Sequence, residues 1–189
     1  MLQANVGGEV LSRSLLILGA GGHGKVVLDV AETMKCYETI HFLDDGKQVG
    51  EEVLGHEVVG KISECHLYSS DYTDAIVGLG NNEVRLELTN KLKALGYHIP
   101  VLIHPTSVVS QYADIKEGTV IMPQAVVNAS ASIGNACIIN TGAVIEHDCV
   151  VGDGAHIAYR AVLGGGAKVG NEVLVDIGEV VGRNEERCI

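Results

Sequence analysis

The spacing of hydrophobic positions changes partway along this chain. Residues 14–19 (SLLILG) form a short apolar run with the length and composition of a buried strand. The run breaks at Gly19-Ala20-Gly21-Gly22-His23-Gly24, after which Val26, Val27, Val30, Ala31 and Met34 recur at helical spacing. Ile40–Leu43 predicts a second strand ending on Asp44-Asp45, and residues 74–79 (DAIVGL) a third that stops at Gly80-Asn81-Asn82. Val84, Leu88, Leu92 and Leu95 then predict a helix, with Gly96 just past its end. His98–Ile103 reads as a last strand. Residues 14–104 are therefore expected to form a small α/β, Rossmann-like domain built on a βαβ unit.

From residue 105 the period becomes six. The chain divides into hexads from ADIKEG (113–118) to EVVGRN (179–184), and their third positions run Ile115, Ile121, Val127, Ile133, Ile139, Ile145, Val151, Ile157, Leu163, Val169, Val175, Val181. All are aliphatic, and the first position is small in ten of the twelve. Val108 stands seven before Ile115, which makes Tyr112 an inserted residue. A period of six fits neither a helix nor a series of hairpins, but it fits a parallel β-helix. A short strand there turns its first and third residues to one side, small then large, before the chain bends. Residues 105–189 are expected to adopt it.

Composition narrows the function classes. With 24 Gly, no Trp and 4 % aromatics, the core must be aliphatic and punctuated by glycine. A net charge of −11 argues against non-specific binding to nucleic acid or to anionic membranes. No apolar run is long enough to span a bilayer and the first residues lack signal-peptide character, so a cytoplasmic location is expected. Five scattered cysteines without a CxxC pair read as reduced thiols. Cys137 and Cys149 fall at small inward positions and are set aside as nucleophiles. The spacing of His41, His56, His66, His98 and His104 is not that of metal ligands, and no metal is expected.

The first turn carries the chemistry of the N-terminal half. Gly19, Gly21 and Gly24 make G-x-G-x-x-G between strand and helix, with Asp44 and Asp45 about 20 positions on. The unit is shorter than the two-halved fold that binds a whole dinucleotide. A glycine turn before a helix N-terminus suits any phosphate or pyrophosphate, so a nucleotide-linked ligand is as consistent as NAD. The glycines could also serve only close packing of strand and helix. In the second half, His147 lies in Glu146-His147-Asp148 at an outward turn position, where a carboxylate can orient an imidazole as a base near neutral pH. His156 follows nine residues later in an outward strand position. Nine further on, Gly164-Gly165-Gly166 lets backbone N–H groups approach a ligand, although a plain turn would account for it too.

The segments LILGAGGHGKVV, FLDD, GLGNNEVR, LIHPTSVVS, IMPQAVVNA and INTGAVIEHDCVVGD together resemble the hexapeptide-repeat sugar acyltransferases with an N-terminal Rossmann-like domain. That family includes UDP-amino-sugar N-acetyltransferases and sialic acid O-acetyltransferases, and the resemblance covers residues 14–172. It implies a left-handed coil of three hexads per turn, a homotrimer, acetyl-CoA as donor and an active site between subunits. It also implies His147 as general base with Asp148 beside it, where the family often has Glu. His156 and Gly165 would meet acetyl-CoA, and Gly21, His23, Asp44, Asp45 and Asn81 the acceptor's nucleotide. The expected activity is acetyl transfer to the amine of a UDP-linked amino sugar in surface glycan biosynthesis. Sialic acid O-acetylation is the alternative within the family, and a non-catalytic trimeric scaffold the alternative outside it. No motif reads the sugar itself. The last hexads place Val173 and Glu179 at the small first position, and the sequence stops at Ile189. Fewer coils than usual, an open end and weakened coenzyme A binding are expected from that.

Overall fold

The computed structural model describes residues 13–188. Five strands, β1 (Ser14–Leu18), β2 (Thr39–Leu43), β3 (Glu52–Val53), β4 (His56–Gly60) and β5 (Asp74–Val77), form one sheet in the order β3-β4-β2-β1-β5. All neighbours run parallel except β3 with β4. Two helices, α1 (Gly22–Met34) and α2 (Asn82–Ala94), follow β1 and β5. Side chains alternate along β1. Leu15 and Ile17 pack with Val27, Leu28 and Ala31 of α1, whereas Leu16 and Leu18 pack on the opposite face with Leu92, Tyr97 and Cys65. Gly24 is required where α1 leaves the sheet, since a Cβ there would lie 1.9 Å from the carbonyl oxygen of Gly19.

Two local features differ from the sequence expectation. The β3–β4 hairpin was not foreseen; its turn residues Leu54 and Gly55 both have positive φ (53° and 85°), as a two-residue hairpin turn requires. Leucine disguises that turn, because asparagine or aspartate is the usual signal. The strand expected at His98–Ile103 divides instead. Only His98 bridges to the sheet, at Asp74, while Leu102–Ile103 pairs with Val120–Ile121 in the second half of the molecule. Pro100 between them has no N–H to continue a ladder.

The second half is a left-handed parallel β-helix, the hand opposite to ordinary parallel crossovers. Two-residue strands occupy the second and third hexad positions and build three faces of five strands each. Partners such as Val126 and Val144, or Ile138 and His156, stand 18 residues apart, so three hexads make one coil. Third-position aliphatics and first-position Ala and Cys stack into one continuous core. The register differs at its start. Val109, not Val108, is the inward residue; it pairs with Val127 and packs on the core, while Val108 is 64 % exposed. The spacing of six therefore runs unbroken back to Ile103, and Tyr112 takes a sixth position, without the positive φ of those that follow it.

The corners share one conformation. All twelve sixth positions from Gly118 to Asn184 have φ between 52° and 75°, and seven of them are not glycine. An L-residue there costs about 1–2 kcal/mol. Each corner offsets this with a bond from the sixth-position N–H to the preceding coil, to a carbonyl in eleven cases, as in Ala136 to Glu117 or Gly154 to Asn135, and to the Thr106 hydroxyl at Gln124. The irregular late hexads keep this geometry. Val173 is buried at its first position, and Glu179 pairs with Arg187.

Second-position residues point outward and give each face its own character. The first face presents Leu102, Val120, Ile138, His156 and Leu174, and its first three lie buried beneath α1 and the sheet. The second face presents valine in all five strands: Val108, Val126, Val144, Val162 and Val180. The third carries Asp114, Ser132, Val150, Lys168 and Glu186.

Candidate active site

His147 occupies the corner between the second and third faces. Its Nδ1 lies 2.7 Å from Asp148 Oδ2, and both side chains are more than half exposed. With Nδ1–H donating to that carboxylate, Nε2 is left as the proton acceptor of the ring. Asp148 is itself a left-handed corner residue (φ 62°), which fixes its carboxylate one residue after the ring it orients. One coil further on, Gly165 packs against the imidazole so tightly that an added Cβ would stand 2.7 Å from His147 Nε2. At some corners the fifth-position N–H is taken by a side chain, as in Asn135 by Asp153, Thr141 by Asn140 and Ile177 by Asp176. Gly164 offers no such side chain, and the Gly165 N–H makes no hydrogen bond among the described residues.

His156 lies on the first face, just beyond the part that α1 and the sheet cover. It borders a cleft of about 730 Å³ walled by the Gly80–Glu83 loop and by Glu172, Leu174 and Arg187 of later coils. Asn140 Oδ1 accepts from Thr141 N, so its Nδ2 donates to His156 Nε2 at 3.0 Å. His156 is thereby set with Nε2 as acceptor and Nδ1–H as a donor. Burial, then the nearby Arg85 guanidinium, pushes its pKa down to about 4, and the ring is neutral at physiological pH. His23, in the first turn of α1, joins the same group. Burial, Arg85 and His156 push it to about 4 as well, and its Nε2 is buried without a partner among the described residues.

The glycine turn divides by role. Gly21 and Gly22 face open space, as does Gly80 across the sheet end, so a ligand can approach their backbone. Gly21 caps α1 with no side-chain hydrogen bond and the first turn holds no acid, which leaves its N–H groups open to an anion. Asp44 is already engaged: Oδ2 accepts from Ala20 N at 2.7 Å and Oδ1 from Gly46 N at 2.8 Å. Asp45 accepts from Ile62 N, and Asn81 Oδ1 caps α2 by accepting from Val84 N. These three therefore shape the turn and keep only their remaining lone pairs and amide protons for a ligand. Cys137 and Cys149 lie in the core, where burial raises both thiol pKa values, Cys137 to about 11.

The structure thus brings His147, Asp148 and Gly165 together, and separately His23, His156 and the Gly80–Asn82 loop. It does not bring the two groups together within one chain. His156 lies on the first face, and His147 lies at the corner opposite that face. Sequence reasoning missed Arg85, which is 1 % exposed and sits at the centre of the second group. Its signal was its place in GNNEVR, on the helical row of Thr89 and Leu92.

Comparisons with known proteins bear on the fold and the family. The family model of the PglD N-terminal domain matches residues 14–92, and that of the bacterial transferase hexapeptide (six repeats) matches 130–165. The acetyltransferase domain of PglB from Neisseria gonorrhoeae FA1090 in complex with acetyl coenzyme A is 35 % identical, over 94 % of this chain and 93 % of that one, with a TM-score of 0.78. PerB from Caulobacter crescentus in complex with CoA and GDP-perosamine is 28 % identical, over 92 % and 91 %, with a TM-score of 0.76. A UDP-N-acetylbacillosamine N-acetyltransferase of Bacillus subtilis is 37 % identical over 114 residues, 58 % of this chain; the match spans about half of that curated relative (51 %). With this fold, these two residue groups and these relatives, the chain belongs to the hexapeptide-repeat sugar acyltransferases that carry an N-terminal Rossmann-like domain.

Proposed function

We propose that the protein transfers acetyl from acetyl-CoA to the amine of a nucleotide-linked amino sugar, a UDP-sugar in the first instance, as a homotrimer with its active sites between chains. The reading is supported by the names of the relatives, one a UDP-sugar N-acetyltransferase and another bound to CoA and a GDP-amino sugar. One observation carries the intersubunit site: His147 and His156 sit on opposite sides of the prism, so a single acetyl group can meet both only where two chains adjoin. The valine face next to the His147 corner is the surface on which a second copy would seat.

In this mechanism His147 Nε2 takes a proton from the acceptor nitrogen as that nitrogen attacks the thioester carbonyl carbon. The C–N bond forms, the carbonyl oxygen becomes an oxyanion, and collapse breaks the C–S bond and releases the coenzyme A thiolate. The unpaired Gly165 N–H is the donor assigned to the developing oxyanion, and the His156 Nδ1–H a donor to the acetyl-CoA end of the site. Gly21, His23, Asp44, Asp45 and Asn81 receive the nucleotide, with the open N–H groups of α1 facing its phosphates. Free cysteines support a cytoplasmic setting for the reaction, as a step toward a surface glycan.

Thiol release from acetyl-CoA in the presence of UDP-linked and GDP-linked amino sugars, or of sialic acid, tests the reading. Release is expected with a nucleotide amino sugar, and His147→Ala should lower kcat by about 100-fold or more while acetyl-CoA binding persists. Release with sialic acid alone would transfer the proposal to O-acetylation. Near-native turnover in His147→Ala would remove that residue from the mechanism.

A further inference from the structure

The edge between the third and first faces of the β-helix is where α2 docks, and the match is one of pitch. An α-helix advances about 5.4 Å per turn and a coil about 4.8 Å. Successive turns of α2 therefore meet successive coils at the same corner. Thr89 lies against Gly118, where an added Cβ would be 3.0 Å from Thr89 Cγ2. Arg85 Nε donates to Ala136 O at 2.8 Å and Nη2 to Gly154 O at 2.7 Å, two carbonyls one coil apart. Asn82 Nδ2 donates to Glu172 O, one coil further. Arg85 also reaches back into its own half of the molecule. Nη1 donates to Leu79 O and Gly80 O, and Nη2 to Asn82 Oδ1. All five guanidinium donors are thus used, none on a carboxylate, and the side chain is buried.

A buried cation without an anionic partner is a costly choice if it serves packing alone. Its bonds join two things the transfer reaction needs in register: the Gly80–Asn82 loop and the coils that present His156. We propose that Arg85 is a positioning residue for acetyl transfer, holding the acceptor-side loop Gly80–Asn82 against the His156 coils and supplying that pocket with a fixed positive charge. This rests on the function proposed above. The groups facing His156 are His23 from α1, Asn140 from the coil before, Arg85 and Glu83 from the α2 side, and Glu172, Arg187 and Cys188 across the cleft. Arg85 is the buried charge among them, and it acts on both imidazoles against protonation.

The test compares the unsubstituted protein with Arg85→Lys and Arg85→Met, using thermal melting, steady-state kinetics over pH and imidazole NMR titration. Arg85→Lys keeps the charge with three donors in place of five. It should raise the acceptor KM about tenfold, with the KM for acetyl-CoA and the acidic limb of the rate profile unchanged. Arg85→Met removes the charge, and the His156 titration should move to higher pH. A purely structural role would lower the active fraction with both KM values intact, and that result in Arg85→Lys would overturn the proposal. So would a His156 titration in Arg85→Met identical to that of the unsubstituted protein. Should Arg85→Met fail to fold, the KM split in Arg85→Lys decides alone. If the unsubstituted protein transfers no acetyl group to any amino sugar, the proposed function falls, and the NMR titration, which needs no turnover, judges Arg85 separately.

Discussion

Replacing Gly165 by alanine would press one methyl group on the ring of His147. The new Cβ would lie 2.7 Å from Nε2, 2.8 Å from Cε1 and 3.3 Å from Cδ2. Unstrained contacts of this kind are about 3.5–4.0 Å, so the ring must retreat by about 1 Å. Gly165 lies outside the left-handed region and its backbone accepts alanine, and the amide N–H survives the change. The ring is half exposed and can swing, so stability should fall by no more than about 0.5 kcal/mol. Displacing a reacting group by about 1 Å can cost about 100-fold in rate. Gly165→Ala should therefore lower kcat by one to two orders of magnitude while melting near the unsubstituted protein. Gly164→Ala is the control. Its Cβ would stand 2.9 Å from Arg183 N and 3.2 Å from Gly182 C, backbone atoms of the next coil that cannot swing aside. That variant should lose about 1–3 kcal/mol of stability. Thiol release and thermal melting, run side by side, read both effects. A Gly165→Ala protein with kcat within threefold of the original would refute the reasoning, as would one that loses stability as Gly164→Ala does.

Two further outcomes are expected. Val144→Glu, at the centre of the valine face, should convert a trimer into single chains by light scattering and abolish thiol release, although His147 and His156 are untouched; a trimer in that variant would exclude this face as the interface. His23 and His156 titrate near 4 when folded, against 6.5 for the ordinary imidazole. Between those values the unfolded chain binds protons that the native one does not, so stability is fully present above pH 6.5 and is lost as pH falls toward 4. Urea midpoints measured across that window should decline, and less steeply in His156→Asn; a flat profile would contradict the burial of both rings.

The repeat was legible because a β-helix allows few substitutions at its inward positions: a third position surrounded by its own neighbours above and below must be aliphatic. At Val108 and Val109 the same rule fails, since two adjacent valines fit either direction and only the pairing of Val109 with Val127 decides. His147 could be singled out because its carboxylate is its chain neighbour, and the family resemblance pointed to the same residue. The His23–His156–Arg85 group is a different case. Its members come from α1, the β-helix and α2, and meet only because α2 lies along an edge of the prism. Val84 looked like part of the buried row of α2, yet it is 39 % exposed, while Arg85 beside it is enclosed. Hydrophobic spacing cannot nominate a buried cation whose partners are carbonyl groups half a chain away.

The three unlike faces also limit how such a chain can change length. One coil takes 18 residues, and each face keeps its own outward residues coil after coil. Inserting a single hexad would leave the inward column intact, yet it would rotate everything after it by one face. Beyond the insertion, valines would turn toward the side now held by charged residues, and charged residues toward the side now held by α1. The corner carbonyls that α2 grips would move to another edge. Gains and losses in the repeat are therefore tolerated in steps of eighteen, and a count of hexads that is not a multiple of three between two relatives marks a remodelled surface, not a longer copy of the same one.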